Sequence, residues 1–230
     1  MSIEAIILLG APGAGKGTIA EAIAVATKYV HVSTGDMLRN AVRQGTELGR
    51  AADTYMKQGN LVPDDLIVKM VVEHLCRGGA DCHYMFDGFP RTLAQAELLD
   101  KHFRDISAVL SNVFLLDVSR QVVLDRLTGR RICRKCGAIF HVRNIPPKQA
   151  GICDACGGEL YQRQDDMPET IINRWDVFQR QTESLIAYYD QKGILVRVDS
   201  ARHKDETVAD ILKMLAHQSR GSVPRVAGQS

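Results

Sequence analysis

The sequence predicts an α/β protein built on a mostly parallel sheet. Short apolar runs of strand length alternate with segments that carry apolar residues at helical spacing, which is typical of a parallel sheet covered by helices. The runs that we assign to strands are "AIILLG" at 5–10, "HVST" at 31–34, "YMFDGF" at 84–89, "VFLLDV" at 113–118 and "ILVRVD" at 194–199.

Helical spacing fills the intervals between these runs. One example carries its apolar residues at Leu66, Ile67, Met70, Val71 and Leu75. The longest helix is predicted to begin near Met167, with Pro168 in its first turn, and to end at Gly193. Its apolar face comprises Ile171, Trp175, Phe178, Thr182, Leu185 and Tyr189.

Composition excludes several classes of protein. The 230 residues are 45% hydrophobic and 24% charged, which suits one globular domain, and the formal net charge of +2 gives no global basic excess for binding nucleic acid or membrane. The opening apolar run is too short to span a membrane and lacks the basic segment of a signal peptide. We therefore expect a cytoplasmic protein without nucleic-acid or membrane partners.

The first chemical motif is "GAPGAGKGT" at 10–18, which lies between a predicted strand and a predicted helix. Backbone amides at such a turn, together with the helix N-terminus, surround a phosphate. Gly17 occupies the position where this motif usually has serine or threonine, and Thr18 follows it. The candidate phosphate-binding residues are Gly13, Ala14, Gly15, Lys16, Gly17 and Thr18.

Further motifs follow in a characteristic order, namely "STGDMLR" at 33–39, "GNLVPD" at 59–64, "DGFPRTLAQA" at 87–96, "LDRLTGRR" at 124–131 and "RQDD" at 163–166. With the first loop they make the chain resemble an adenylate kinase of the long-lid type, from Ile3 to about Leu215. The resemblance implies the P-loop nucleoside monophosphate kinase fold, with a parallel five-stranded sheet flanked by helices, a small helical NMP-binding insertion and a zinc-ribbon-like lid insertion.

The resemblance also implies a reaction: reversible, magnesium-dependent phosphoryl transfer in which ATP and AMP give two ADP. It implies a monomer. We expect a single kinase domain at 1–216, with a core of 1–32, 63–128 and 167–216, an NMP-binding insertion at 33–62 and a lid at 129–166. Residues 217–230 are expected to form a disordered tail, because they contain few large apolar side chains.

Arginines stand at motif positions throughout the match. Phosphoryl transfer gathers negative charge, and a guanidinium group meets phosphate oxygens with two parallel donors. The resemblance implies as catalytic residues Lys16, Arg91, Arg126, Arg130, Arg163 and Arg174. As residues that bind ATP and magnesium, it implies the loop residues together with Asp87, Arg126 and Arg130. As residues that bind AMP, it implies Thr34, Arg39, Leu61, Val62, Gly88, Arg91, Gln95, Arg163 and Arg174. Arg131, Arg134 and Arg143 match no motif position.

Four cysteines form two C-x-x-C pairs, Cys133 with Cys136 and Cys153 with Cys156, and sixteen residues separate the pairs. This spacing brings four thiolates into a tetrahedron around zinc, and four filled positions favour a structural ion. Two disulfides are the alternative, disfavoured in a reducing compartment. Cys76 and Cys82 are expected to be packing or surface thiols.

Several alternatives stay open at this stage. A kinase with UMP or CMP as acceptor is the nearest, and a zinc-ribbon nucleic-acid-binding NTPase is the more distant. Asp165 and Asp166 either hold arginines or, in the case of Asp166, cap the helix after it. Ile19 and Phe86 depart from the commoner family residues and are expected to serve packing.

Overall fold

The computed structural model describes residues 3–77 and 83–221. Cys82 and the side chain of Cys76 lie outside this part of the chain, so the expectation for these thiols is not tested.

A five-stranded parallel sheet forms the centre of the fold, in the order β2-β3-β1-β4-β8. Strands β2 and β3 lie on one side of β1, while β4 and β8 lie on the other. The carboxyl ends of these strands therefore border a crevice, which is where open α/β sheets bind ligands. The strands are β1 at Glu4–Gly10, β2 at Tyr29–Ser33, β3 at His83–Asp87, β4 at Val109–Asp117 and β8 at Leu195–Asp199.

Helices connect the strands of this sheet. A second, antiparallel sheet lies between α6 and α7, in the order β6-β5-β7, with β5 at Arg130–Cys133, β6 at Ile139–His141 and β7 at Leu160–Tyr161. The helices are α1 at Lys16–Ala26, α2 at Thr34–Arg43, α3 at Glu47–Gln58, α4 at Asp64–Arg77, α5 at Leu93–Asp105, α6 at Arg120–Thr128, α7 at Pro168–Gln191 and α8 at Lys204–Gly221.

The predicted parallel sheet is confirmed, and each predicted strand overlaps an observed one. The run "HVST" was extended one residue too far, because Thr34 begins α2 and the Ser33 hydroxyl caps that helix by accepting from Asp36 N at 3.3 Å. Strand β4 begins at Val109, before the predicted run, where exposed and polar residues hide its start. Helix α8 extends to Gly221 and so passes the boundary expected at residue 216.

The continuous apolar run of β1 has a structural cause. Ala5, Ile7 and Leu9 pack into the cluster on one face of the sheet, whereas Ile6 and Leu8 pack into the cluster on the other. Both faces are covered by helices, so successive side chains are buried although they point in opposite directions. No helix within the described ranges is both long enough and apolar enough to cross a membrane.

Phe86 provides a test of this packing. Its side chain is fully buried, and its ring centroid lies 6.1 Å from those of Phe89 and Phe103. Phe86→Ala should lower the free energy of unfolding by about 3–5 kcal/mol, whereas Phe86→Leu should cost less than about 1.5 kcal/mol because the volume is better conserved. Urea unfolding measures both, and equal losses in the two variants would contradict a packing role.

Candidate nucleotide and metal sites

The glycine-rich loop joins β1 to α1 at the carboxyl end of the sheet. Gly15 precedes α1 with a φ of 97°, a left-handed conformation that glycine adopts without strain. Lys16 Nζ donates to the carbonyl oxygens of Gly10 and Ala11, at 2.9 and 3.0 Å. Burial lowers the pKa of Lys16 to about 8, and Asp87 opposes this shift. An anion in the loop would stabilise the charged amine.

Arg126 of α6 and Ser200, which follows β8, hold this loop through hydrogen bonds. Arg126 donates to Ser200 O at 2.7 Å and to Ala14 O at 3.4 Å, and the Ser200 hydroxyl also donates to Ala14 O. Ser200 follows β8, so the loop is tied to the carboxyl end of another strand. Arg126 was predicted as a phosphate contact, and in the structure it lines the same pocket as the loop.

Two aspartates hold arginines over the crevice. The carboxylate of Asp166 is fully buried and accepts two hydrogen bonds from Arg130, at 2.8 and 2.6 Å. Arg174 Nη1 lies 3.1 Å from Asp165 Oδ2 and donates to the Asp165 carbonyl oxygen at 2.8 Å. Met167 occupies the N-cap position of α7, and its side chain makes no capping hydrogen bond. Of the two alternatives for Asp166, the structure therefore favours holding arginines.

The arginines lie close enough to repel one another. Arg91 is exposed at the surface of the crevice, and desolvation by the surrounding protein, followed by the charge of Arg174, lowers its pKa to about 10. Burial, followed by the charge of Arg39, lowers the pKa of Arg163 to about 10. Arg163 Nε is buried without a hydrogen-bond partner. These features describe an anion-binding site in which positive charge exceeds its protein counter-charge.

Two pockets open from the crevice and meet at this cluster. The first is lined by α2, the end of α3, the segment before α4 and part of α7, and the second by the glycine-rich loop, the antiparallel sheet and the segment after β8. The cations that line both pockets are Lys16, Arg39, Arg91 and Arg174. Two anionic ligands, one in each pocket, would therefore bring their charged ends together at the same cations.

The first pocket contains the residues that were predicted for base and ribose contacts. Gln95 is 1% exposed, and its Oε1 accepts from Arg91 N at 2.7 Å. Thr34 donates to Gly88 O at 2.9 Å and so ties α2 to the end of β3. Leu61 and Val62 line the same pocket.

Gly88 itself has a φ of 76°, and a Cβ there would meet Arg91 Nη2 at 2.9 Å. Glycine at this position thus leaves room for the guanidinium of Arg91, whose Nε donates to Gly88 O at 2.7 Å.

Asp87 ends β3 beside the glycine-rich loop. A Cβ at Gly17 would lie 3.4 Å from Asp87 Oδ2, so the carboxylate is adjacent to the first turn of α1. His31 Nε2 lies 3.4 Å from the same oxygen. Of the remaining predicted contacts, Gly13, Ala14 and Thr18 line the second pocket. Arg163, predicted for AMP, also lines the second pocket, and it lies 3.9 Å from Asp36 of α2.

The cysteines converge at the end of the antiparallel sheet. All four Sγ atoms lie within 4.8 Å of one another, with Cys133 and Cys156 at 3.4 Å and Cys136 and Cys153 at 3.5 Å. A disulfide requires about 2.05 Å, whereas four sulfurs about 2.3 Å from one zinc lie about 3.8 Å apart. The alternative of two disulfides is therefore not what the structure shows, and the thiols have the arrangement of a metal site.

Local backbone geometry forms this cluster. Each C-x-x-C pair is followed by a glycine with positive φ, 78° at Gly137 and 69° at Gly157, whose amide donates to the first cysteine's carbonyl oxygen. Backbone donors from Cys136 and Lys135 help to lower the pKa of the Cys133 thiol to about 6. The thiolate form of Cys133 is thus favoured, whereas the neighbouring thiols raise the pKa of Cys136 to about 12.

Sequence reasoning missed part of the second pocket. His141, Asn144 and Ile145 from the antiparallel sheet and its following turn line it, as does Arg202 after β8. The rule that strand ends border the ligand crevice could have identified the residues after β8. Nothing in the sequence marked His141. Arg131, Arg134 and Arg143, which matched no motif, pair with local groups instead.

The His141 ring fixes the turn that carries these residues. Its Nδ1 accepts from the amides of Arg143 and Asn144, at 3.1 and 3.0 Å. Its Nε2 lies 3.0 Å from the carbonyl oxygen of Asp125 and therefore carries the proton. The ring thus joins the antiparallel sheet to α6.

The fold and these pockets define a P-loop protein of the phosphotransferase class, with two pockets that share a cluster of cations. The family model of adenylate kinase matches residues 8–194. Curated adenylate kinases from Carboxydothermus hydrogenoformans and Caldicellulosiruptor bescii are each 46% identical over 91% of this chain and 98% of their own length. One from Bacillus licheniformis is 42% identical over 94% of this chain and 99% of its own length. The chain belongs to the adenylate kinase family.

The buried ion pair between Arg130 and Asp166 supports a prediction. Asp166→Asn should lower the free energy of unfolding by about 3–5 kcal/mol, because it removes a fully buried carboxylate and leaves the partly buried Arg130 guanidinium uncompensated among other cations. Asp125→Asn, which removes the exposed pair with Arg143, should cost less than about 1 kcal/mol. Urea unfolding of both variants checks this, and a similar small loss in each would show that Asp166 does not carry the charge balance.

Proposed function

We propose that this enzyme transfers the terminal phosphoryl group of ATP to AMP, reversibly, giving two ADP. The observation that carries the proposal is the pair of pockets that share Lys16, Arg39, Arg91 and Arg174. A kinase with two nucleotide substrates needs two base pockets and one place where their phosphates meet. Family membership supports the same reaction.

AMP occupies the first pocket in this proposal. Gln95 offers both an amide donor and an acceptor to the base, while Leu61 and Val62 supply apolar contact. Arg39 and Arg91 are among the cations that both pockets share, and they bind the phosphate group of AMP. Thr34 holds the backbone at Gly88, which keeps Arg91 in place.

ATP occupies the second pocket. The amides of Gly13 to Thr18 and the N-terminus of α1 surround its phosphates, and Lys16 exchanges its carbonyl partners for phosphate oxygens. Asn144 and Ile145 approach from the antiparallel sheet, which we propose acts as a lid. Arg130, held by Asp166, and Arg163 lie at the two ends of this segment and bring positive charge when it closes.

Catalysis follows from position and charge. The transferring phosphoryl group passes through a loose transition state, so the enzyme needs aligned substrates and preorganised cations more than covalent chemistry. Arg91 and Arg174 line both pockets and therefore border the path between donor and acceptor. Closure of the lid excludes water, which otherwise competes with AMP as acceptor.

Asp87 is the residue that we propose for magnesium. A carboxylate at a strand end beside the phosphate loop suits a hard cation that retains water ligands. When bound with ATP, the ion neutralises phosphate charge. The position of Asp87 Oδ2, close to Gly17, supports this assignment.

Zinc is the ion that we propose for the four cysteines. A thiolate set without carboxylate or imidazole suits zinc, and four protein ligands leave no position for a reacting water. The apolar cluster of this segment is small, comprising Cys133, Phe140, Cys153 and Leu160 among its buried members. The ion supplies folding energy that so small a core lacks.

We further propose the division into core, NMP-binding insertion and lid with the boundaries expected from the sequence, except that α8 carries the core to Gly221, and a cytoplasmic monomer. The helices α2 and α3 between β2 and β3, and the antiparallel sheet between α6 and α7, support the two insertions. Unoxidised cysteine pairs suit a reducing compartment.

The choice of acceptor tests the proposed reaction. With ATP as donor, AMP should exceed UMP and CMP in kcat/KM by well over about tenfold, a difference of more than about 1.4 kcal/mol in transition-state stabilisation. A coupled assay of ADP formation measures the three acceptors. Equal values for AMP and UMP would support the UMP/CMP kinase alternative, and tight nucleic-acid binding at moderate salt would support the zinc-ribbon alternative.

Metal removal tests the structural role of zinc. The purified protein should contain about one zinc per chain by elemental analysis, and loss to a chelator should become easier as pH falls, because thiolates must be deprotonated to bind. Cys153→Ser should lower the melting temperature and leave AMP affinity nearly unchanged. Glu159→Gln, an exposed lid substitution, is the control. A metal-free enzyme that keeps its melting temperature yet transfers no phosphoryl group would contradict this assignment.

A further inference from the structure

A carboxylate outside the predicted site contacts the residue proposed to contact the base. Asp64 is the first residue of α4, and its Oδ1 accepts from Gln95 Nε2 at 2.6 Å. Its Oδ2 accepts from the Thr92 hydroxyl at 2.8 Å, and that hydroxyl oxygen in turn accepts from Gln95 N at 3.2 Å. Asp64 therefore holds both the side chain of Gln95 and the N-terminus of α5.

These contacts determine which way the Gln95 amide faces. A carboxylate only accepts hydrogen bonds, so the NH₂ end of Gln95 must point to Asp64. The Arg91 backbone N–H only donates, and it lies 2.7 Å from Gln95 Oε1. Both partners require the same orientation. One N–H and one lone pair of the amide then remain for a ligand in the pocket.

The free groups match one kind of purine. Adenine presents a donor at N6 beside an acceptor at N1, which pair with the carbonyl and the N–H of the amide. Hypoxanthine and guanine present an acceptor at O6 beside a donor at N1, which is the reverse pattern. The base cannot turn over to restore the match, because the phosphate is held by Arg39 and Arg91 in the proposed function.

We infer that Asp64 is a positioning residue that determines base specificity, because its contact with Gln95 Nε2 fixes the amide in the orientation that complements adenine and opposes 6-oxopurines. The inference rests on the proposed function and names the source of its selectivity. A site with fixed polar groups rejects the wrong partner strongly, since buried donors and acceptors are then left unpaired.

A helix-stabilising role for Asp64 makes a different prediction. Asp65 also lies in the first turn of α4, where either carboxylate favours the helix dipole. Asp65 is exposed, and of these two carboxylates it is Asp64 that accepts the hydrogen bond from Gln95. The pair Asp64→Ala and Asp65→Ala therefore removes the same charge from the same turn, and the two variants differ in the contact with Gln95.

The experiment measures kcat/KM for AMP and for IMP with ATP as donor, because IMP has the size of AMP but the reversed edge. Wild type should favour AMP strongly, and Gln95→Ala should lose most of that preference. Asp64→Ala should lower the AMP-to-IMP ratio by about tenfold or more, while Asp65→Ala should keep the wild-type ratio. Asp64→Asn, which retains an acceptor facing Gln95, should keep most of the ratio. Asp64→Ser, too short to reach Gln95, replaces the alanine variant if that chain does not fold.

The outcomes separate the inference from the proposed function. If wild type favours AMP and Gln95→Ala does not, but Asp64→Ala retains the ratio of Asp65→Ala, the inference is overturned and the proposed function stands. A wild-type enzyme that uses IMP as well as AMP, or a Gln95→Ala variant that keeps full preference, would overturn both the inference and the proposed base contact. A ratio that falls equally in Asp64→Ala and Asp65→Ala would assign the effect to the helix and overturn the inference.

Discussion

The excess of positive charge in the crevice is the constraint on which the rest of this structure depends. Lys16, Arg91 and Arg163 all have lowered pKa values, with desolvation inside the crevice as the largest cause. Such a cluster is costly without a ligand, and two carboxylates, Asp165 and Asp166, offset part of the cost. The positive charge that these carboxylates do not neutralise is available to bind phosphate. A site that is destabilised when empty and neutralised when filled is suited to substrates that carry several negative charges.

The same constraint accounts for the arrangement around the crevice. Cations that repel one another are held close together here because separate elements carry them. These elements are α1, α2, α7 and the segment between β3 and α5. Further arginines come from the two ends of the antiparallel sheet, which is too small to fold on apolar burial alone. Four cysteines beside that sheet have the arrangement of a metal site. In the proposed function the zinc serves chemistry indirectly, by maintaining the shape of the lid.

Sequence patterns predicted the sheet, the phosphate loop and the cysteine cluster because each depends on local spacing. Periodicity identified β1 and α7, and the spacing of the cysteine pairs predicted their convergence. Other features depended on tertiary contacts. His141 and Ser200 entered the second pocket through folding of distant segments. In the sequence, Asp64 looks like any acidic residue at the start of a helix. Its position at the base pocket is revealed by the hydrogen bond between Asp64 of α4 and Gln95 of α5.

In the proposed reaction, the cations shared by both pockets stabilise the phosphoryl group as it transfers. The single-turnover rate of ADP formation with saturating ATP and AMP in Arg91→Ala tests this directly. The control is Arg131→Ala, because the side chain of Arg131 donates only to local carbonyl groups in the described residues. We expect Arg91→Ala to slow the chemical step by about 10²-fold or more and Arg131→Ala to stay near the wild-type rate. An unchanged single-turnover rate in Arg91→Ala would contradict a role of the shared cations in the transfer.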